Sequence, residues 1–267
     1  MKQLLNKWLK NSHLLNFRLG TGILKQAIFK QNCVLCASPE ANTPGHPLSN
    51  SFHEFDSPCN HAVCKPCLND LPWHPNTSCP QCGLASSGMV CGSCLNSPPD
   101  FDATISVFLY AYPIDAMMQR YKYGSLLNLG DAFGELLAEK IHIENIDLII
   151  PMPMHRQRLK ERGFNQALEI AKVLCKNHKE ILDYKSVERQ TLTPPQASLP
   201  LKERVKNIKG AFKVKADKLD KLQGKRIAII DDVMTSGASL NELAKTLKKA
   251  GAVHVECWVI ARTPPHK

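Results

Sequence analysis

Two hydrophobic periods run along the 267 residues. Short apolar runs predict strands at Ala103 to Tyr110, Asp147 to Ile150, Ile227 to Asp231 and Val253 to Ile260. Between them, apolar residues recur at helical spacing. Helices are predicted at Ile114 to Lys122, at Leu126 to Ile141, through Ala167, Ile170, Ala171 and Leu174, and through Leu240, Leu243, Ala244 and Leu247. Strands alternating with helices predict an α/β fold, a mostly parallel sheet with helices on both faces and ligand at the carboxyl strand ends. Cys175 lies on an apolar helix face and Cys257 inside the last strand, so both read as core. Arg189 to Phe212 reads as a loop and short helix, Lys213 to Lys225 as a basic linker, and Arg262 to Lys267 as a polar tail.

Before Pro98-Pro99 the pattern changes. Residues 1–30 interleave Lys2, Lys7, Lys10, Arg18, Lys25 and Lys30 with apolar positions and hold no acid. They read as a basic amphipathic arm, for a membrane surface, for nucleic acid, or packed on the protein itself. Residues 31–98 are poor in aromatics and carry nine of the 11 cysteines. Four C-x2-C pairs stand out: Cys33/Cys36, Cys64/Cys67, Cys79/Cys82 and Cys91/Cys94. A two-residue gap lets one tight turn present two thiolates to one metal, and two turns complete a tetrahedron. The expectation is two structural Zn²⁺ sites that replace a hydrophobic core. A ribbon arrangement gives Cys33, Cys36, Cys64, Cys67 and Cys79, Cys82, Cys91, Cys94. A cross-brace resembling a RING finger would instead complete the second site with Cys59 and His61. The main domain is expected over 99–267.

The chemistry concentrates in RIAIIDDVMTSGAS, Arg226 to Ser239. An apolar run ends in Asp231 and Asp232; a small hydroxyl-rich loop, Thr235-Ser236-Gly237-Ala238-Ser239, leads into a helix. Unpaired N–H groups and the helix dipole favour an anion there. Adjacent acids can accept hydrogen bonds from sugar hydroxyls. Their side chains point to opposite faces of an extended segment, so they do different jobs. The plainer alternative is a strand end with an Asp helix cap. This stretch resembles the phosphoribosyl pyrophosphate (PRPP) motif of type I phosphoribosyltransferases, with T-S-G-A-S in place of T-T-G-x-T. That likeness implies Asp231 and Asp232 at the ribose, Thr235, Ser236, Gly237, Ala238 and Ser239 around the 5-phosphate, and Mg²⁺ on the pyrophosphate.

A second cationic string follows the strand at Asp147 to Ile150: Pro151-Met152-Pro153-Met154, then His155, Arg156, Arg158, Lys160 and Arg162, then Gly163-Phe164-Asn165-Gln166. It suits a pyrophosphate, or is simply a solvated basic helix start. Arg120-Tyr121-Lys122-Tyr123 offers a basic-aromatic cluster for a ring or a phosphate, or a helix end packing its tyrosine.

The cysteine motifs CKPCLNDLPW, CPQCG and CGSC, the following NSPPDFD, and the P-M-P-M-H-R…R-G-F-N-Q string together resemble the ComF (ComFC/GntX) family. In that family a cysteine zinc module precedes a phosphoribosyltransferase-like domain, and the likeness covers about residues 33 to 262. Gln196, Arg204 and Asn207 match the family's hood segment. The resemblance implies PRPP binding, phosphoribosyltransferase chemistry on an unidentified acceptor, single-stranded DNA in natural transformation, and a ComFA-type helicase partner.

Charge and compartment fit this outline. The net charge of +10 suits a polyanion. No run of 18 apolar residues and no secretory signal is present, so the expectation is a reducing, cytoplasmic setting in which paired cysteines bind metal.

Overall fold

The computed structural model describes residues 32–38, 62–123, 126–192 and 208–265. The basic arm, Cys59, His61, Gln196, Arg204 and Asn207 lie outside them.

Six strands are described: β1 (Ala103–Leu109), β2 (Leu148–Pro151), β3 (Val187–Arg189), β4 (Phe212–Val214), β5 (Arg226–Met234) and β6 (His254–Arg262). Four of them form one sheet in the order β1-β6-β5-β2, and its pairings are all parallel. β3 and β4 form a separate antiparallel ribbon. The helices are α1 (Lys65–Asn69), α2 (Gly92–Asn96), α3 (Ile114–Lys122), α4 (Leu129–Ala138), α5 (Arg156–Arg162), α6 (Gln166–Leu174), α7 (Leu219–Leu222) and α8 (Ala238–Lys249). The α/β architecture expected from the periodicity is therefore the one observed.

Burial explains why the sheet reads as unbroken apolar runs. Ile227, Ala228, Ile229 and Ile230 are all fully buried. Successive strand side chains face opposite ways, so both faces of β5 are covered. β6 repeats the pattern through Trp258, Val259, Ile260 and Ala261. Each buried isoleucine or valine among them contributes roughly 1.5–3 kcal/mol by leaving water. α6 lies against β2 and β5 and packs on α4, while α8 lies against β5, β6 and β4. The α4–α6 approach depends on Gly134, where an added Cβ would meet the Val173 Cβ at 2.6 Å.

Three expected boundaries move. The helix expected over Leu126 to Ile141 is shorter, because residues 126–128 make a turn and Lys140 N–H bonds the Leu137 carbonyl, tightening the exit. Lys213 to Lys225 is no mere linker: it contains α7, anchored by fully buried Leu222, and the end of β4. The last strand runs beyond Ile260 to Arg262, which is 4% exposed and not part of a polar tail.

The cysteine region packs onto this sheet. Cys33, Val63, Cys64, Leu68 and Leu71 belong to the same continuous core as Phe108. The Trp73 ring lies 4.7 Å from that of Phe108, and its indole N–H donates to the Leu68 carbonyl at 3.1 Å. No helix among the described residues is long and apolar enough to cross a membrane.

Candidate functional site

Parallel pairing brings the carboxyl ends of β2 and β5 side by side. Pro151 is level with Ile230, and Met152 N–H donates to the Ile230 carbonyl at 2.8 Å. The cationic string after β2 and the acids of β5 therefore start from neighbouring points on one edge. Asp231 and Asp232 sit within β5, which continues to Met234, with Asp231 level with Val259 of β6.

The two acids differ in environment. Burial, and then the charge of Asp232, push the Asp231 carboxyl above the ordinary carboxylate range. Its Oδ1 accepts from Asp232 N–H at 2.9 Å. Asp232 has a fixed counter-ion: Lys122 Nζ, at the end of α3, lies 2.8 Å from Asp232 Oδ2. Burial works against the charged lysine, but Asp232 outweighs it and holds the ammonium above its usual pKa. The Arg120–Tyr123 cluster thus divides. Tyr121 is fully buried against Phe133 and Phe164, Lys122 faces the acids, and Tyr123 is 81% exposed.

Beyond Met234 the chain turns at Gly237, which caps α8 in the left-handed region at φ 78°. A Cβ there would lie 2.8 Å from Met234 Cε, so strain and contact both favour glycine. No side chain caps this helix. At its start, Ala238 N–H makes only a long 3.4 Å contact to Ser236 Oγ, and the helix dipole favours an anion there.

On the β2 side, His155 caps α5, its Nδ1 accepting from Gln157 N–H at 3.2 Å. Arg156 is exposed on the first turn of α5. Arg158 lies 3.9 Å from Glu161, a loose pairing. Arg162 donates to Gln166 Oε1 at 2.9 Å. Asn165 caps α6 and donates to the Met152 carbonyl at 3.1 Å, tying that helix to the strand end. From the ribbon, Arg189 lies over the Phe212 ring at 5.6 Å. Burial lowers its pKa; Asp231 partly restores it and Arg158 lowers it further, so all three share one electrostatic neighbourhood.

The thiols gather into two sets, Cys33, Cys36, Cys64, Cys67 and Cys79, Cys82, Cys91, Cys94, with sulfurs inside each set within 4.8 Å of one another. These are the sets of the ribbon reading. Burial opposes ionisation of Cys33 and Cys79, yet backbone N–H groups bring both down to about 6. Burial and their sulfur neighbours push Cys67 and Cys94 up. Each set can start as a thiolate but cannot become four without a cation, which is the donor chemistry of a structural metal site. Cys175, by contrast, is fully buried and its thiol is pushed up to about 12, so it is core.

Residues 159–267 match the family model for a phosphoribosyl transferase domain. The DNA utilization protein YhgH of Escherichia coli strain K12 is 32% identical over 196 residues, spanning 70% of this chain and 85% of that one. Competence protein F of Haemophilus influenzae is 30% identical over 215 residues, 76% of this chain and 91% of that one. This chain belongs to the ComF family. Competence protein ComFC of Bacillus subtilis is 26% identical over 212 residues. The ComF pattern accounts for the two cysteine sets and the strand–loop–helix of β5 and α8. It does not announce Lys122 as the partner of Asp232, the influence of the Asp231 charge on Arg189, or Arg262 as a buried strand residue. One signal was available for Arg262: a charged residue that directly continues an apolar strand.

Proposed function

We propose that the carboxyl edge of the sheet binds a 5-phosphoribosyl group, with PRPP as the ligand. The observation that carries this reading is the succession of Asp231 and Asp232 on β5, the turn at left-handed Gly237 and the start of α8. Asp232, already matched by Lys122, accepts from one ribose hydroxyl. Asp231, kept neutral by its surroundings at rest, can donate to a sugar oxygen. Thr235 to Ser239 hold the 5-phosphate through backbone N–H groups and hydroxyls. Arg156, Arg158 and Arg162 supply charge for the pyrophosphate.

Among the described residues, only the two cysteine sets gather enough ligands to hold a metal by themselves. Mg²⁺ would therefore arrive on the pyrophosphate oxygens and supply charge neutralisation there. Each cysteine set holds one structural Zn²⁺. In transfer, the bond from sugar C1 to the pyrophosphate oxygen breaks, the electron pair leaves with pyrophosphate, and an acceptor nucleophile closes on C1. The chain's part is positioning and charge stabilisation.

The setting proposed is DNA uptake and processing in the cytoplasm, with single-stranded DNA and a ComFA-type helicase as partners; the names of the relatives, DNA utilization and competence, support the DNA part of it. The net charge of +10 agrees with a polyanion partner. Calorimetry with PRPP and Mg²⁺ tests the ligand: saturable binding to the zinc-loaded protein, abolished by Asp231→Ala and by Asp232→Ala, is expected. Binding that survives these changes would remove the site. Pyrophosphate release with bases, amines and single strands as acceptors tests transfer, and silence with all of them would reduce the protein to a binder. Affinity for single strands should fall steeply with salt, and a flat response would make the charge incidental.

A further inference from the structure

The second cysteine set is docked through its backbone. In Pro80-Gln81-Cys82-Gly83, every carbonyl accepts a hydrogen bond from outside the knuckle. Pro80 accepts from Thr104 N–H at 2.9 Å, Gln81 from Thr104 Oγ1 at 2.6 Å, and Cys82 from Arg262 Nε at 2.8 Å. The Gly83 carbonyl meets His74 Nε2 at 2.7 Å. Arg262 is 4% exposed, and its other contacts lie at the root of the loop. Nη1 donates to the carbonyls of Met234 and Thr263 at 3.0 Å each, and to that of Thr235. Met234 is the last residue of β5, and its methyl lies under Gly237. One guanidinium therefore holds a metal-site knuckle with one edge and the start of the anion loop with the other.

We propose that Arg262 is a positioning residue for the 235–239 loop and couples the loop's order to metal occupancy of Cys79, Cys82, Cys91 and Cys94. The ligand clause of this inference rests on the phosphoribose reading; the coupling itself does not. Four thiolates around a divalent ion leave a net negative site beside the guanidinium, which draws Nε onto the Cys82 carbonyl. Without the ion nothing ties the two C-x2-C turns together, the knuckle loosens, and Nε loses its anchor. A buried guanidinium with a broken bond no longer fixes the carbonyls of Met234 and Thr235. Coupling is reciprocal, so an anion seated in the loop slows metal loss from the knuckle.

The test uses the full zinc-loaded chain, Arg262→Lys, and the double change Cys91→Ser with Cys94→Ser. Amide hydrogen exchange is read at 235–239, with β2 at 148–151 as internal reference, alongside zinc content. Arg262→Lys keeps the charge but not the fork, so two zinc ions should remain while loop exchange quickens roughly tenfold or more. Emptying the second set should give the same local change with the reference unmoved. Unchanged exchange at 235–239 in both variants overturns the coupling, whatever happens to zinc. In wild type, PRPP with Mg²⁺ should slow zinc transfer to a chromogenic chelator, and Arg262→Lys should remove that slowing. A wild type that binds no PRPP would sink the functional reading, and the exchange comparison would still decide the coupling.

Discussion

Two aspartates in this domain, buried Asp183 and half-buried Asp231, are treated in opposite ways. Asp183, 3% exposed, is saturated. Lys185 N–H and Ser186 N–H donate to its Oδ1 at 3.0 and 3.1 Å; Ser186 Oγ and Lys221 Nζ reach its Oδ2 at 2.5 and 2.9 Å. Burial opposes its charge, but these donors win and hold its carboxyl below the usual range. Among the described residues, the bond to the Asp231 carboxylate is its neighbour's N–H; burial and the adjacent acid push its carboxyl up. The first arrangement stabilises a turn. The second costs stability, as expected of a group kept for the proposed ribose contact.

Chelation should exceed any single substitution in effect. Stripping both cysteine sets removes the cation their thiols require, and a loss on the order of 10 kcal/mol would unfold the module. Protease cleavage within 62–97 should then appear while β5 and β6 stay protected. Next comes Asp183→Ala. It strands buried donors and should destabilise by about 3 kcal/mol in denaturant melts, with PRPP affinity unchanged. Asp231→Asn should raise stability by about 1–2 kcal/mol at neutral pH, whereas Asp231→Ala, which removes the polar group, should abolish PRPP binding.

The pH dependences should also be opposite. Asp183 has a depressed folded pKa, so its contribution is present above the unfolded value near 4 and is lost as pH falls through the folded value. Asp231 has a raised one, so its contribution is full below that unfolded value and is lost as pH rises through the folded value. Melts from pH 4 to 8 should show Asp231→Asn gaining on wild type as pH rises; equal slopes would mean that Asp231 is ordinarily ionised. Smallest is Lys122→Met. Its ion pair is partly solvated, so stability should change by about 1 kcal/mol or less. The magnesium optimum for PRPP binding should rise, because Asp232 then lacks its fixed cation.

What the chain revealed about itself follows from the range of each interaction. Ile114 to Lys122 was readable as a helix from spacing alone and is observed with those limits. The acids and loop of Asp231 to Ser239 were readable because fourteen consecutive residues, from Arg226, carry the pattern. The two thiol sets were readable because a C-x2-C turn is local chemistry. Arg262 was not, since its partner Cys82 lies 180 residues away. Nor was the Lys122–Asp232 pair: a basic residue at a helix end ordinarily snorkels to solvent, and only the fold brings the end of α3 to Asp232. Asp183 and Asp231 look alike as letters; what separates them is how many donors the fold brings to each.

A crystal of the zinc-loaded protein soaked with PRPP and Mg²⁺ tests the central claim most directly. Ribose density against Asp231 and Asp232, with the 5-phosphate on the amides of 235–239, is the predicted result. The sugar phosphate bound elsewhere, or that loop closed over and empty at saturating ligand, would contradict it.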